Sequence, residues 1–328
     1  MGVRDLGSKL NEKIFTEIGG MEQGMVLQSA DTDNPVLLFL HGGPGSPEIA
    51  FSQDCPTGLD GLFTVCWWEQ RGSGISYRRN IPKESMTLEQ MIEDALAVTK
   101  YLCKRFGKEK VYLMGHSWGS LLGVLTVKRA PELFYAYMGI GQVARQEESE
   151  RLAYTYMLER FCQAGDKRMV RKLRRYPIDK GGDMSLRYLS VRSEGMQKLG
   201  IGVMHRMTSM MDCVKVVLGY KGYTLGEKLR FVMGSSFSLG CLWDTVAKCD
   251  LFERAPRLEV PTYVFQGKYD YQVSYEIAKR YMEAMQAPVK GFYTFAESAH
   301  SPCYEEPEKM CEILQKDVLQ GKAELADR

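Results

Sequence analysis

The sequence lacks any long apolar run, and its positive and negative charges almost cancel. No uninterrupted apolar stretch approaches the ~20 residues needed to span a bilayer, so we predict no membrane segment. The formal net charge is +2, which argues against attraction of the whole protein to nucleic acid. The first residues also lack the apolar segment of a secretory signal, so we expect a cytoplasmic protein.

Paired cysteine motifs are missing as well. The 9 cysteines are odd in number and irregularly spaced, and no Cys-x-x-Cys pair or other spacing typical of metal ligands occurs. Such usage favours reduced thiols over a disulfide framework. The sequence therefore indicates neither a metal site nor a disulfide-stabilised extracellular domain.

Residues 111–123 contain the strongest catalytic signal in the chain. A short apolar run leads into Gly-His-Ser-Trp-Gly at 115–119, and an apolar helical stretch follows at once. This order of strand, turn and helix is the setting in which a Gly-x-Ser-x-Gly motif exposes its serine as a nucleophile. The alternative is an ordinary serine turn. We predict that Ser117 is a nucleophile, with the flanking glycines leaving room for close backbone contacts.

A nucleophilic serine needs a base, and the sequence has only 4 histidines. His41 lies in a glycine turn, and His205 fits a packing or surface role. His116 is expected to point away from the neighbouring Ser117. His300 follows an apolar run, in a loop, and is therefore the predicted base.

The third member of the predicted triad is an acid that lies between the serine and the histidine in the chain. This order is expected when the serine occupies a strand–turn–helix elbow. Asp270 closely follows an apolar strand predicted at 261–266, whereas Asp244 and Asp250 follow no strand. The predicted catalytic residues are Ser117, Asp270 and His300.

An oxyanion hole is predicted after the apolar strand 36–40. The strand runs into His-Gly-Gly-Pro-Gly-Ser at 41–46, a turn that can aim backbone N–H groups outward. We assign the donors to the N–H groups of Gly43 and Trp118, against the alternative of a plain strand-ending turn. Gln70 and Arg71 are expected to brace this loop, with Arg71 paired to a buried acid.

These motifs resemble those of the prolyl aminopeptidase (proline iminopeptidase) branch of the α/β-hydrolases. The matching segments are 41–46, Glu-Gln-Arg-Gly-Ser-Gly-Ile-Ser at 69–76, Gly-His-Ser-Trp-Gly-Ser at 115–120, Gly-Lys-Tyr-Asp at 267–270 and Ser-Ala-His-Ser at 298–301. The resemblance implies serine hydrolysis without a metal or cofactor, and a preference for small acyl groups that carry a free amine. Two positions depart from the usual family pattern: Glu69 replaces an aspartate, and His116 replaces a glycine.

Outside residues 142–248, predicted strands alternate with predicted helices. The strands are 24–28 (an edge strand), 36–40, 63–68, 111–114, 135–140, 261–266 and 291–295; the helices are 87–105, 118–130, 274–286 and 308–320. This alternation predicts a mostly parallel central sheet with helices on both faces, as the α/β-hydrolase fold requires. Ligands of such sheets bind beyond the carboxyl ends of the strands, where all the predicted catalytic residues lie.

Residues 142–248 interrupt the alternation and are expected to form an inserted helical cap. The hydrolase core then comprises 1–141 and 249–328. Four methionines of the cap either line an adaptable acyl pocket or pack its core: Met204, Met207, Met210 and Met211. Between residues 151 and 206 the sequence has 13 Lys or Arg against 5 Asp or Glu. We interpret this excess as a solvated helix face rather than as a surface that attracts acidic substrates or nucleic acid.

Substrate-binding residues are expected where the sheet enters the cap. Burial of a free ammonium group requires a paired carboxylate, and Glu147, Glu148 and Glu150 lie near this entrance. The alternative is that they are first-turn glutamates favoured by the helix dipole. Trp243 is a candidate pocket wall, although single aromatic residues also fit the core.

Three functions follow from these features. The favoured one is an aminopeptidase that acts on short peptides. The second is an esterase or small-molecule amide hydrolase that does not need a free amine. The third is a non-catalytic binding protein that retains the hydrolase fold. The expected partner is a small peptide or ester substrate, and the sequence does not indicate the oligomeric state.

Overall fold

The computed structural model describes residues 10–206 and 210–328. An eight-stranded sheet with the order β1-β2-β4-β3-β5-β6-β7-β8 forms its centre. The strands are β1 (Leu10–Ile18), β2 (Met21–Ser29), β3 (Val36–Leu40), β4 (Thr64–Trp68), β5 (Val111–His116), β6 (Phe134–Ile140), β7 (Thr262–Gly267) and β8 (Lys290–Phe295). The pairs β1–β2 and β2–β4 are antiparallel, and all other neighbouring strands are parallel.

Helices pack on both faces of the sheet because its central strands are apolar on both sides. In β3, Val36, Leu38 and Leu40 face one core, and Leu37 and Phe39 face the other. The helices are α1 (Ile49–Asp54), α2 (Leu59–Leu62), α3 (Leu88–Phe106), α4 (Trp118–Arg129), α5 (Gln146–Gln163), α6 (Lys167–Leu173), α7 (Leu186–Leu199), α8 (Met210–Gly219), α9 (Leu225–Lys248), α10 (Leu251–Arg254), α11 (Tyr275–Ala284), α12 (Pro302–Glu305) and α13 (Pro307–Lys316). Helices α3, α4 and α11 contribute to the first core, and α1, α2 and α13 to the second.

The edge of the sheet differs from the sequence prediction. Residues 24–28 belong to a strand, but this strand is not an edge, because β1 pairs along its whole length. The prediction is therefore wrong on this point. In β1 alternate side chains are exposed and the others only partly buried up to Ile18, and polar residues such as Glu12 and Thr16 occur on the inner side. An edge strand of this kind carries too weak an apolar pattern to be recognised from sequence.

The segment between β6 and β7 is helical, as expected, and comprises α5 to α10. Buried residues of α5, α6 and α7 belong to the same apolar core as α3 and α4. The segment is therefore packed onto the sheet layer rather than attached through a linker. Residues within 203–204 and 213–236 of this segment contribute to the cavity described below.

Candidate active site

Ser117 is the single residue that separates strand β5 from helix α4. Its φ and ψ are 56° and −121°, and among the described residues it is the only non-glycine with a positive φ. The Ser117 N–H donates to the Ile140 carbonyl of β6 at 2.9 Å. Backbone strain of this kind costs about 1–3 kcal/mol and concentrates at functional sites. The sharp turn predicted from the motif is thus present.

The glycines on either side of Ser117 allow the strand and the helix to meet. A Cβ atom on Gly119 would lie 2.0 Å from the Leu40 carbonyl oxygen, and one on Gly115 would lie 2.2 Å from the Gly119 carbonyl oxygen. Real Cβ atoms do not approach backbone so closely. The motif therefore requires glycine at both positions for steric reasons.

Asp270 and His300 are in direct contact, with 2.8 Å between His300 Nδ1 and Asp270 Oδ2. Asp270 follows β7, and it also accepts hydrogen bonds from Gln266 Nε2 at 2.7 Å and from the Val273 N–H at 3.0 Å. A carboxylate only accepts, so His300 carries a proton on Nδ1 and leaves Nε2 as an acceptor. Burial lowers the pKa of His300 and outweighs the opposing effect of the Asp270 carboxylate.

Gly141 is a site residue that the sequence analysis did not identify. It follows β6 with φ of +54°, and a Cβ atom there would lie 2.7 Å from both Cε1 and Nδ1 of His300. Any side chain at this position would displace the imidazole ring. No motif in the sequence marks this glycine, because the strand end and His300 meet only in the folded sheet.

Ser117 and His300 line a common cavity of about 460 Å³, which we call the Ser117 cavity. Gly43 also lines it. The N–H groups of Gly43 and Trp118 donate no hydrogen bond to another described residue. Trp118 begins α4, where the helix dipole is positive. Of the two predicted oxyanion donors, Gly43 therefore lines the same cavity as Ser117, and Trp118 directly follows Ser117 in the chain.

Helices α8 and α9, together with Val203 and Met204, supply much of the remaining lining. Phe51 of α1 adds a further apolar side chain. The apolar residues of the helical segment that line the cavity are Val203, Met204, Val214, Val217, Leu218, Phe231 and Val232. Of the four methionines considered from sequence, Met204 lines the cavity and Met211 does not. Met207 and the side chain of Met210 lie outside the described residues.

A buried ion pair links residues 41–46, which we call the oxyanion loop, to the predicted base. Glu48 Oε2 lies 2.8 Å from His116 Nδ1, and His116 Nε2 lies 2.8 Å from the His300 carbonyl oxygen. Both partners only accept, so both ring nitrogens carry protons and His116 is an imidazolium. The other oxygen of Glu48 accepts the Gly42 N–H at 2.8 Å. One carboxylate therefore holds the loop of Gly43 and, through His116, the backbone of His300.

The charges of this pair stabilise each other. Burial alone would lower the pKa of His116, but the Glu48 carboxylate, together with the His300 carbonyl and the Asp270 carboxylate, raises that pKa. Burial likewise opposes ionisation of Glu48, yet His116, together with the Gly42 N–H and His41, brings the pKa of Glu48 below its ordinary value. We expected His116 to point away from the site; instead it lines the Ser117 cavity, 4.8 Å from the His300 ring. Glu48 carries no motif that would have identified it.

The loop after β4 braces the oxyanion loop, as predicted. Gln70 Nε2 donates to the His41 carbonyl at 3.0 Å, and Trp118 Nε1 donates to Gln70 Oε1 at 2.8 Å. Arg71 forms a buried ion pair with Asp94, with 2.7 Å between Nε and Oδ2. The expected pairing of Arg71 with a buried acid is thus confirmed.

The predicted substrate-binding residues lie outside the Ser117 cavity. Glu147 is half-exposed and pairs with Arg151, and Glu148 pairs with Arg145 and Arg280. Trp243 is buried in α9, where its Nε1 donates to the Met184 carbonyl at 2.7 Å. The first turn of α5 presents both glutamates to solvent, so the reading as first-turn glutamates fits their positions.

Glu150 occupies the opposite, buried side of α5. It accepts a hydrogen bond from Arg192 Nε at 2.8 Å and another from the Tyr188 hydroxyl at 3.1 Å. Arg192 in turn donates to the backbone carbonyl of Gln272, a residue that lines the cavity. Glu150 therefore balances a buried arginine and offers no unpaired charge to a ligand.

The described residues contain neither a candidate metal site nor a helix suited to span a membrane. No group of three or more His, Cys, Asp or Glu in that part of the chain has a metal-binding arrangement. No described helix has the length and apolar character required to cross a membrane.

Comparisons with known proteins agree with this architecture. Residues 35–307 match the family model described as the alpha/beta hydrolase fold. A probable aminopeptidase, YbaC of Bacillus subtilis, is 34% identical over 91% of this chain and 93% of its own length. A proline iminopeptidase of Saccharolobus solfataricus is 25% identical over 94% of this chain and 93% of its own length.

A solved structure shows the same fold. The crystal structure of a proline iminopeptidase from Mycobacterium smegmatis superimposes with a TM-score of 0.68, covering 94% of this chain and 98% of that one, at 17% identity. The family model, which spans most of the chain, and the relative with 34% identity lead to the same conclusion. This chain belongs to the α/β-hydrolase family and resembles its prolyl aminopeptidase branch.

Proposed function

We propose that the protein is a serine hydrolase that cleaves an ester or amide bond through an acyl-enzyme. The observation that carries this proposal is the 2.8 Å contact between His300 and Asp270, next to a strained Ser117 in the same cavity. An elbow serine, a buried imidazole and an acid that fixes its tautomer are the parts that nucleophilic acyl transfer requires.

In the proposed mechanism His300 acts alternately as base and acid, and each other residue has one role. His300 Nε2 accepts the Ser117 hydroxyl proton as the oxygen attacks the carbonyl carbon. The N–H groups of Gly43 and Trp118 stabilise the oxyanion, and Asp270 stabilises the imidazolium. His300 then protonates the leaving alcohol or amine, and a water molecule, deprotonated by His300, releases the acyl group from Ser117.

The cavity best supports a substrate whose acyl group is uncharged. Apart from the two histidines, its only ionisable side chains of Asp, Glu, Lys or Arg type among the described residues are Glu48 and Lys228. Glu48 already accepts hydrogen bonds from Gly42, His116 and Tyr304. An ammonium group would meet no unpaired carboxylate there, and burying an unpaired charge is costly. We therefore favour an ester or small-molecule amide hydrolase.

The second candidate is an aminopeptidase of the proline iminopeptidase type that acts on short peptides. It is supported by the names of the relatives and by the shared motifs. Under this reading the substrate ammonium would have to use Glu48, in competition with the His116 imidazolium. The two candidates therefore differ in whether a free amine helps or hinders hydrolysis.

Matched substrates distinguish the candidates. The panel comprises L-proline 4-nitroanilide, L-alanine 4-nitroanilide, their N-acetylated forms and 4-nitrophenyl butyrate, with Ser117→Ala as the blank. We expect turnover of the butyrate and no advantage for the free-amine anilides. Fast cleavage confined to the free-amine anilides would contradict our preference and establish the aminopeptidase.

A further inference from the structure

Helices α8 and α9 expose an unusual number of large apolar side chains. Val214, Leu218, Leu225, Leu229 and Val232 are between 42% and 82% exposed, and we call these five residues the apolar rim. On α9 the spacing of Leu225, Leu229 and Val232 is helical, so these three side chains share one side of the helix. An ordered apolar surface of this kind marks a binding site more often than scattered exposed residues do.

The apolar rim is continuous with the Ser117 cavity. Val214, Leu218 and Val232 belong to both, since each is exposed to solvent and also lines the cavity. Val217 and Phe231, their neighbours on the two helices, extend the same apolar lining inward. A ligand that leaves the cavity between α8 and α9 therefore meets mainly apolar surface; the one described lysine of the lining, Lys228, donates to the Leu218 carbonyl.

Polarity changes along this path. At the inner end are Ser117, His300 and the unoccupied N–H groups of Gly43 and Trp118, which suit a carbonyl group. At the outer end, Leu225 and Leu229 offer only aliphatic carbon. This gradient matches a molecule with one polar carbonyl and a long apolar tail.

Building on the proposed serine hydrolase function, we propose that the substrate carries a long apolar acyl chain, with its first carbons in the Ser117 cavity and its distal carbons on the apolar rim. The shared residues Val214, Leu218 and Val232 argue for this occupant over a second protein. A protein seated on the rim would cover the opening through which the substrate must enter. The substrate's own chain fills cavity and rim together.

A chain-length series tests the proposal. Values of kcat/KM are measured for 4-nitrophenyl esters from acetate to dodecanoate, each below its critical micelle concentration. Each buried methylene is expected to raise kcat/KM by about three- to fourfold, the fold-change that corresponds to ~0.8 kcal/mol per CH₂. The increase is expected to continue, with a smaller increment, once the chain reaches the half-exposed rim.

Variants of the rim separate its role from that of the cavity. In the double variant Leu225→Ser/Leu229→Ser, the ratio of kcat/KM for dodecanoate to that for butyrate is expected to fall about tenfold. The control is Leu152→Ser on α5, a leucine that is 41% exposed and does not line the cavity. This control should keep the wild-type ratio. All three side chains are exposed, so loss of folding does not confuse the comparison.

Four outcomes would overturn the proposal. If kcat/KM did not change with chain length while activity still depended on Ser117, the acyl-chain proposal would be wrong and the serine hydrolase function would stand. A rim variant that abolishes a dimer without changing the ratio would identify a second copy as the occupant. If the series were repeated above the critical micelle concentrations and only then favoured long esters, the rim would bind a lipid surface instead. Hydrolysis that persists in Ser117→Ala would overturn the proposed function itself.

Discussion

His300 determines how the proposed reaction depends on pH. The base must be neutral to accept the Ser117 proton, and burial lowers the pKa of His300. We therefore predict that kcat/KM rises with pH and reaches half of its plateau below pH ~6.5, the ordinary value for histidine. The pH profile of 4-nitrophenyl ester hydrolysis measures this midpoint. A midpoint well above that value would show that Asp270, rather than burial, dominates the His300 equilibrium.

Glu48 acts on the reaction through the groups that it holds. In Glu48→Gln, His116 loses its charged partner, and the Gly42 and His300 backbones lose a shared anchor. Misplacing catalytic groups by about 1 Å can cost 10²-fold in rate, so we predict that kcat falls roughly 10- to 100-fold with little change in KM. Steady-state kinetics on the wild type and the variant give both parameters.

The control for this prediction is Glu147→Gln. It makes the same chemical change at a half-exposed glutamate outside the cavity, and we expect wild-type kinetics from it. Equal losses in the two variants, or a change confined to KM in Glu48→Gln, would contradict a positioning role for Glu48.

Stability provides a second readout for the Glu48–His116 pair. The raised His116 pKa stabilises the fold below its ordinary value of 6.5, and this contribution disappears as the pH rises through the raised pKa. The lowered Glu48 pKa stabilises the fold above 4.5, and this contribution disappears as the pH falls through the lowered pKa. We predict that the difference in Tm between wild type and Glu48→Gln is greatest between these values and shrinks at alkaline pH.

Single functional residues could be predicted where a short sequence motif or a preceding strand identifies them. Ser117 lies within a short motif, and Asp270 follows an apolar strand, so both could be singled out. Glu48 and His116 are 68 positions apart in the chain, and no local pattern signals their contact. Glu147 and Glu148 lie in the first turn of α5, but the rotation of α5 that turns them toward solvent could not be predicted from composition.

At the scale of elements, Glu69 connects the loop after β4 to the turn before α9. Its carboxyl group accepts hydrogen bonds from the Tyr223 hydroxyl and from the Ile75 N–H. Burial raises the pKa of Glu69 to about 7. Because the folded-state pKa exceeds the ordinary value of 4.5, the protonated group favours folding at low pH. This advantage is lost as the pH rises through about 7.

We predict that Glu69→Gln, which mimics the protonated acid, flattens the dependence of Tm on pH. Relative to wild type the variant should gain stability between pH 5 and 8, by an amount on the order of a few kcal/mol at the upper end. Thermal unfolding at several pH values measures this. Parallel curves for the two proteins would mean that Glu69 stays ionised in the folded state.

The strands of the sheet and the helices packed on it could be predicted, because the central strands are apolar and the helices are amphipathic. In α3 the N-cap residue, Thr87, accepts the Gln90 N–H at 3.2 Å. Strand β1 was missed because it exposes every second residue while its inner positions include polar side chains. Hydrophobic periodicity in the sequence therefore identifies buried strands and helices well and edge strands poorly.

The Ser117 cavity is formed by elements from distant parts of the chain. Its walls come from the loop after β3, the elbow after β5, helices α8 and α9, and the loop after β8. Only the packing of the helical segment onto the sheet brings these parts together. The sequence predicted the segment as helical, but the identity of the lining residues, and hence the apolar character of the cavity, depends on that packing.

Labelling with a fluorophosphonate probe, followed by peptide mass spectrometry, tests the central claim most directly. The account predicts a covalent adduct on Ser117 in the wild type, none in Ser117→Ala, and labelling that is slower by roughly 10³-fold or more in His300→Gln, because the serine has lost its base. Absence of labelling, or an adduct on a residue other than Ser117, would contradict the assignment of Ser117 as nucleophile. An unchanged labelling rate in His300→Gln would contradict the assignment of His300 as base.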